Sequence, residues 1–472
     1  MASPSNIAQP DYGLAQPVKN LIKLAPVFVA ANATVGEAAR EMKRSGIGSV
    51  LIATEPPGIL TDRDLRGRVL AANAGAETPV VRVMSRPLIT ISSTAPAFAA
   101  LQLMIDRNIH HLPVGEEGSI IGVISASDLL IHQSRNPLYL RDIIDRLEDV
   151  TAIGDYSAAI AALAETLFQG GLAALEISRL VSSLNDALVR RLVHLAEQEL
   201  GSPPGHYAWI VFGSEGRMEQ TLLTDQDNAL VFDSTANESG VYFAALSKRV
   251  VEGLMQAGFP PCPGGFMATN WTKPIEQWQE LFTRWIDLPE PEALLDAAIF
   301  FDFRSVAGSL ALEPLETIIG AAKSKTRFLA HMLKGALTFR PPLGFFNRLK
   351  TRGGKIDLKM TGLAPIVGLA RVAAMAEASR QRPTLERLRV AGASGRIIDR
   401  ESAQALAEIM PFLLHLRLSA QLEAQKNRQP LGNSVAVEQL SPWDRRHLKE
   451  ALVLVKRMQE DVRAAWRLDA TN

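Results

Sequence analysis

Hydrophobic positions along the chain fall into two regimes. In roughly the first 135 residues, short apolar runs alternate with helix-period segments, and the whole arrangement occurs twice. PGILTDRDL at 57–65 returns as IGVISASDL at 121–129, and AAREM at 38–42 corresponds to ALQLM at 100–104. Each helix-period segment leads into a β-rich run, GSVLI or HLPVG, so each copy predicts helix, strand, strand, helix. Neither copy is large enough to bury a good core alone, and the two are expected to pack together as one module.

The second regime begins after Pro137. Apolar and charged residues alternate with helical period from 139 to about 200, until GSPPG at 201–205 breaks the pattern. YAWIVF at 207–212 then reads as a buried strand and NALVF at 228–232 as a second, with a polar, Gly-containing turn between them. A helix is predicted over about 241–257, followed by the loop PPCPGG at 260–265. The remainder is mostly helical, broken at Pro341-Pro342, at Arg352-Gly353-Gly354 and around 392–395. The expected fold class is therefore α/β and all-α multidomain. An α/β repeat module spans 17–135, a helical connector 137–203, a mixed-sheet α/β core 204–325, and a helical domain 330–470.

Composition narrows the function classes. With 472 residues, 47% of them hydrophobic, the chain has material for more than one core. Fifty basic residues balance fifty acidic ones, so no basic face for a nucleic-acid backbone is expected, and any phosphate recognition must be local. The single cysteine, Cys262, excludes an intrachain disulfide and makes a zinc cluster improbable, which favours a reducing compartment. The N-terminus lacks a basic-then-apolar run, and the apolar stretch 366–376 is broken by Arg371, so neither a secretory signal nor a membrane span is expected. These features predict a soluble, cytoplasmic protein.

The chemistry concentrates in GSEGRMEQTLLTDQDNALVF at 213–232. Gly213-Ser214 directly follows an apolar strand, where a residue without a side chain lets backbone N–H groups approach a phosphate and the Ser hydroxyl can donate to it. Arg217 adds a planar cation suited to a polyphosphate. Asp225 and Asp227 begin the next strand, and alternation places both carboxylates on one side, an arrangement tolerated when a divalent ion lies between them. Mg2+, or Mn2+, suits oxygen ligands that share coordination with substrate phosphates. The competing reading of the pair is a metal-free turn and strand entry. Cys262, among prolines and glycines with no paired base in view, reads as a loop thiol without a catalytic role.

These residues resemble the DNA polymerase β-type nucleotidyltransferase superfamily, in which Gly-Ser precedes a metal-binding Asp-x-Asp. The fuller string is similar to bacterial nucleotidyltransferases that carry CBS pairs, relatives of the protein-PII uridylyltransferases. SSLNDAL at 182–188, FFDFRSVAG at 300–308, KIDLKMTGLAPIVGLAR at 355–371 and the region 414–459 look like segments of that family. The resemblance implies transfer of a nucleoside monophosphate from an NTP to a hydroxyl acceptor, such as one on a protein, with Asp225 and Asp227 as metal ligands. A third carboxylate is usual in the superfamily. Asp302 is the candidate, its alternative being a solvated acid paired with Arg304. Glu219 is a candidate to orient Arg217. Arg417, Lys426 and Arg428 read either as a substrate-docking surface or as ordinary solvated helix charge.

The repeated motif Gly-hydrophobic-hydrophobic-Thr/Ser-x-x-Asp resembles CBS domains. Thr61 and Ser125, at strand ends that turn into helices, can offer a hydroxyl and backbone N–H to a phosphate, and Asp64 and Asp128 can accept ribose hydroxyls. The resemblance implies AMP or ATP in one or both clefts, with His111 lining a cleft. A homodimer could form through the pair. The structural alternative is that Thr61 and Ser125 merely cap the following helices. His110 and His111, adjacent on a strand, face opposite sides and are not expected to share an ion. The competing functional class is a non-catalytic adenine-nucleotide sensor or interaction protein that keeps a transferase scaffold.

Overall fold

The computed structural model describes residue 14 and residues 16–129, 137–149, 156–222, 225–233 and 239–468, without the side chains of Ser127 and Tyr139. The extreme N-terminus, on which the expectation of no signal peptide rests, lies outside the described residues. The chain divides into two compact units, Met1–Arg141 with Gly170–Leu172, and Asp142–Gln169 with Ala173–Asn472.

The sequence repeat of the first unit becomes a structural repeat. Strands β1 (Phe28–Ala30), β2 (Ser49–Ala53) and β3 (Gly58–Thr61) form one sheet; β4 (Ile91–Ser92), β5 (His111–Glu116) and β6 (Ser119–Ser125) form the other. In each, the first pair is parallel and the second antiparallel. A parallel pair needs a crossover, supplied by the helices Val35–Ser45 and Ala97–Arg107. The first is opened by a reciprocal cap between Thr34 and Glu37, and both end on a left-handed residue, Gly46 or Asn108. Ala38 and Met42 pack on Val50, Ile52 and Leu60, while Ala100 and Met104 pack on Leu112, Val114 and Ile124, so equivalent faces build equivalent cores. The repeated glycine has a steric cause: a Cβ on Gly58 would lie 2.5 Å from Met84 Sδ, and one on Gly122 would lie 2.5 Å from Ile22.

In the second unit, β7 (Tyr207–Val211), β8 (Asn228–Phe232), β9 (Thr272–Pro274) and β10 (Arg304–Gly308) form a mixed sheet in the order β10-β7-β8-β9. Only β8 and β9 run parallel. Every residue of β7 and β8 is buried, which is why both read as continuous apolar runs rather than alternating ones. The helices Tyr156–Gln169 and Ala174–Leu200, read from sequence as a connector, belong to this unit. Ala174–Leu200 packs against Ser239–Gln256 and β10. Trp271, Trp278, Trp285, Phe282 and Phe300 form an aromatic layer with ring centroids 4.5–6.5 Å apart.

The C-terminal half is helical, with Ala364–Ala376, Thr384–Ser394 and Arg400–Lys426 packed side by side. The expectation that no segment reaches spanning length needs correction. Lys359–Ala376 is long and apolar enough by length and composition, but 78% of it is buried inside the protein. Its apolar character therefore serves the core, and Arg371 within it is neutralised by a buried acid described below.

Candidate functional site

Asp225 and Asp227 lie just ahead of β8, which starts at Asn228 rather than at the pair itself. Their alternation persists: Phe212 N–H donates to the Asp227 carbonyl, extending the β7–β8 ladder by one residue. The intervening Gln226 is buried, and its amide donates to the carbonyl oxygens of Val251 and Phe259. With Gln226 turned into the core, the two aspartates share the opposite side.

Gly213 meets them from β7. Its φ of +58° favours glycine, and a Cβ there would sit 2.9 Å from Asp227 Oδ2, so the turn and the close approach both require the missing side chain. Ser214 lies in the same one-turn helix, Gly213–Gly216. The loop after Phe259 closes the other side. Pro260 accepts from Gln226 N–H, Phe266 accepts from Asn228 N–H, and Asn228 Oδ1 accepts from Ala268 N–H. These bonds carry Cys262 to the pair. Its sulfur and one oxygen from each aspartate lie within 4.8 Å of one another.

Burial and the charge of Asp225 push Asp227 up to about 7, while a hydrogen bond from the Cys262 thiol and the charges of Lys359 and Arg217 act the other way. Glu215, only 7% exposed, is pushed well above the carboxylate range, first by burial and then by Asp186, Asp227 and Asp225. A donor set of converging, mutually repelling carboxylates fits a divalent cation, which would relieve the repulsion that raises Asp227.

Two residues assigned to this centre from sequence are placed elsewhere. Asp302 is fully buried, and its oxygens accept from Arg371 (3.0 and 2.7 Å), Arg387 (2.6 Å) and Arg217 (2.5 Å). Held far below the usual carboxylate range by these guanidinium groups, against the cost of burial, it is neither a third metal-facing carboxylate nor a partner of Arg304. Arg304 instead pairs bidentately with Asp186 of the SSLNDAL segment, at 2.6 and 2.9 Å.

Arg217, expected to grip a polyphosphate, donates to Glu219 (2.9 Å) and to Asp302, and is itself buried by these partners. Glu219 in turn accepts from the backbone N–H and hydroxyl of Thr384, at 2.6 and 2.9 Å, at the start of the Thr384–Ser394 helix. The Arg217–Glu219–Asp302 group thus ties the catalytic-type loop to the C-terminal helices. The carbonyl of Asp302 also presses on Gly216, where a Cβ would lie 1.9 Å away.

Two cations of the helical half, Lys359 and Arg417, were missed or undervalued from sequence. Lys359 is exposed and close enough to Asp227 to lower its affinity for protons. Arg417 is 6% exposed, so it is not solvated helix charge. Its Nε donates to Asn433 at 2.8 Å, and no carboxylate among the described residues lies within 4 Å of it. Burial pushes Arg417 down to about 10, eased by Asp357 and reinforced by Arg217. One turn on, Gln421 accepts from Leu222 N–H at 3.2 Å, which holds this face of Arg400–Lys426 against the loop preceding Asp225. The signal available in the sequence was an arginine and a glutamine four residues apart on the helix face that also carries Met410 and Leu414.

In the first unit, the two repeated motifs adopt the same local structure. Thr61 and Asp64 form a reciprocal cap, with Thr61 N–H and hydroxyl donating to Asp64 Oδ2 at 3.0 and 2.8 Å. Ser125 N–H donates to Asp128 Oδ2 at 2.7 Å, and its hydroxyl donates to the same oxygen. The second oxygen of each acid also has a partner: Arg68 (3.4 Å) and Ser85 for Asp64, Lys23 (2.6 Å) for Asp128. The capping role expected as the structural alternative is thus present in both copies. His111 meets Asp62 over Gly48: a Cβ there would lie 3.0 Å from the ring and 2.9 Å from the carboxylate. Burial lowers the pKa of His111, against the pull of Asp62, Asp128 and Asp64. His110 points away, to Arg63 at 2.9 Å.

Comparison with known proteins agrees with this division. Residues 18–71 and 80–135 match the CBS domain, residues 158–292 match the family described as "Putative nucleotidyltransferase DUF294", and residues 326–466 match "Putative nucleotidyltransferase substrate binding domain". Among curated proteins, the CBS domain-containing protein YhcV of Bacillus subtilis is 31% identical over 121 residues, 25% of this chain and 86% of that protein. The uncharacterized protein MK0525 of Methanopyrus kandleri is 37% identical over 102 residues, 21% of this chain and 52% of its own length. A CBS domain protein of Pyrobaculum aerophilum, solved in complex with AMP, is 27% identical with a TM-score of 0.23, covering 25% of this chain and 93% of that one. The chain therefore belongs to the CBS-domain proteins, and it joins its CBS pair to a nucleotidyltransferase-type domain of the DUF294 family and that family's C-terminal substrate-binding domain.

Proposed function

We propose that this protein transfers a nucleoside monophosphate from an NTP to a hydroxyl acceptor, a protein side chain as in the protein-PII uridylyltransferases it resembles, and that it does so in the bacterial cytoplasm. The observation that carries the reading is the Asp225–Asp227 pair, set on one side of the chain by the buried Gln226 and faced by Gly213, where a Cβ would lie 2.9 Å from Asp227. Asp225 and Asp227 would hold Mg2+ or Mn2+, which when bound would neutralise phosphate charge and make the acceptor hydroxyl a better nucleophile. Gly213 and Ser214 offer backbone and hydroxyl donors beside the pair. Lys359 and Arg417, from the substrate-binding domain, supply positive charge for the phosphates. Glu219 and Asp302 hold Arg217 and so position the loop that leads to the aspartates. The CBS pair is proposed to bind AMP or ATP at Thr61–Asp64 or Ser125–Asp128, to tune transfer, and to mediate homodimerisation.

The test is incubation of the full chain with each labelled NTP and a lysate, followed by identification of the labelled product. Label transfer that disappears in Asp225→Asn and Asp227→Asn supports the reading. A second reading, a nucleotide sensor on a retained scaffold, is favoured by the engagement of Arg217 and Asp302 with each other. Nucleotide binding with no label transfer from any NTP would select it.

A further inference from the structure

Cys262 is the only cysteine in the chain, and the fold delivers it to the carboxylate pair by four backbone-anchored contacts along residues 259–268. Its sulfur lies within 4.8 Å of both aspartate oxygens, close enough for all three atoms to share one ion.

A second observation is Glu215. It is more than nine-tenths buried, its carboxylate has no hydrogen-bond partner among the described residues, and Asp225 and Asp227 act on it electrostatically. Asp225, Asp227 and the sulfur thus converge, both aspartates act on a third buried acid, Glu215, and Arg304, which opposes them there, is engaged by Asp186. A bound cation reconciles these groups.

We propose that Cys262 Sγ is a third protein ligand of the cation held by Asp225 and Asp227, and that the site consequently takes a borderline cation such as Mn2+, Co2+ or Zn2+ in preference to Mg2+. This rests on the reading of the aspartate pair as a cation site. The physical ground is ligand softness: Mg2+ demands oxygen donors, whereas a sulfur donor among carboxylates favours the later divalent ions. On coordination the thiol loses its proton to solvent and a sulfur–metal bond replaces the S–H bond.

The experiment is titration of the metal-free full chain with Co2+, read by optical spectroscopy. A sulfur-to-cobalt charge-transfer band in the near ultraviolet is expected, and with one cysteine in the chain it can arise only from Cys262. Cys262→Ser should lose that band while Co2+ still binds at the aspartates. Loss of even an outer-shell partner of a metal costs about 10–100-fold in affinity, so Cys262→Ser should bind Co2+ at least about tenfold more weakly and Mg2+ within about twofold of the parent. In case the variant does not fold, the parent is also assayed for alkylation of Cys262 by iodoacetamide; Mn2+ or Co2+ should protect the thiol and equimolar Mg2+ should not.

Co2+ binding to the parent without a charge-transfer band, or alkylation unaffected by Mn2+ and Co2+, would overturn the proposal. Either result would leave the transferase reading intact if MgNTP binding still depends on Asp225 and Asp227. Failure of every cation to bind would instead remove the reading on which both rest.

Discussion

Asp227→Asn replaces a charged oxygen pair with a neutral amide of the same shape, and the structure dictates the sign of the result. In the native, metal-free protein, burial and the neighbouring Asp225 hold Asp227 up to about 7, against an ordinary value of 3.8. Because the native pKa lies above the unfolded one, the native state between about pH 4 and 7 keeps a proton that the unfolded chain has released. Stability therefore falls as pH rises through that window and levels off above it. Three pH units at about 1.4 kcal/mol each correspond to about 4 kcal/mol of stability forfeited at pH 8 and about 2 at pH 5.

Asn at 227 mimics the protonated acid and avoids this loss. Urea denaturation in the presence of a chelator should show Asp227→Asn to be more stable than the parent by about 4 kcal/mol at pH 8, by about 2 at pH 5, and by almost nothing at pH 3. Saturating Mn2+ should narrow the gap at pH 8 by stabilising the parent alone, through binding that the variant has lost. A variant that is equal or less stable than the parent at pH 8 without metal would refute the argument, because it would mean that Asp227 is not held in a repulsive, poorly solvated setting.

Asp302→Ala strips one buried carboxylate from Arg217, Arg371 and Arg387, and breaking buried pairs of this kind costs about 3–5 kcal/mol; chemical denaturation should show that loss in the absence of any nucleotide. Arg417→Gln removes a buried cation with no carboxylate within 4 Å among the described residues, so the empty protein should be no less stable. Its affinity for NTP measured by calorimetry should fall about tenfold or more, as expected for a charged hydrogen bond worth about 1.5–3 kcal/mol. In the first unit, the paired replacement Asp64→Ala/Asp128→Ala should abolish AMP or ATP binding there. In the parent, adenylate should shift NTP affinity by a factor corresponding to about 1–3 kcal/mol, with NTP shifting adenylate affinity equally; identical NTP affinities with and without bound adenylate would leave the pair without control over substrate binding.

What the sequence by itself determined follows from local rules. Two copies of Gly-apolar-apolar-Thr/Ser-x-x-Asp fix two strand-to-helix turns, because a reciprocal Thr–Asp or Ser–Asp cap is made within four residues and needs no distant partner. YAWIV and NALVF, short apolar runs bounded by breakers, read as strands, and Asp-Gln-Asp entering a strand places its acids on one side, opposite the glutamine. Gly213 belongs with them, since a left-handed residue between a strand and a one-turn helix is a local demand.

Only the tertiary structure decided which charges meet. Asp302 read as a metal-facing acid, yet Arg371 and Arg387 reach it from helices 69 and 85 residues further along the chain. Arg217 carried the right chemistry for a phosphate, but Glu219 and Asp302 occupy it. Cys262 read as an idle loop thiol until bonds from Gln226, Asn228 and Ala268 wrapped its loop over the aspartates. Arg417 passed for surface charge until Leu222, 199 residues from Gln421, closed against its helix. Ion pairing and ligation depend on distances of a few ångströms between side chains remote in sequence, and periodicity constrains only the face on which a residue lies, not the partner brought to that face.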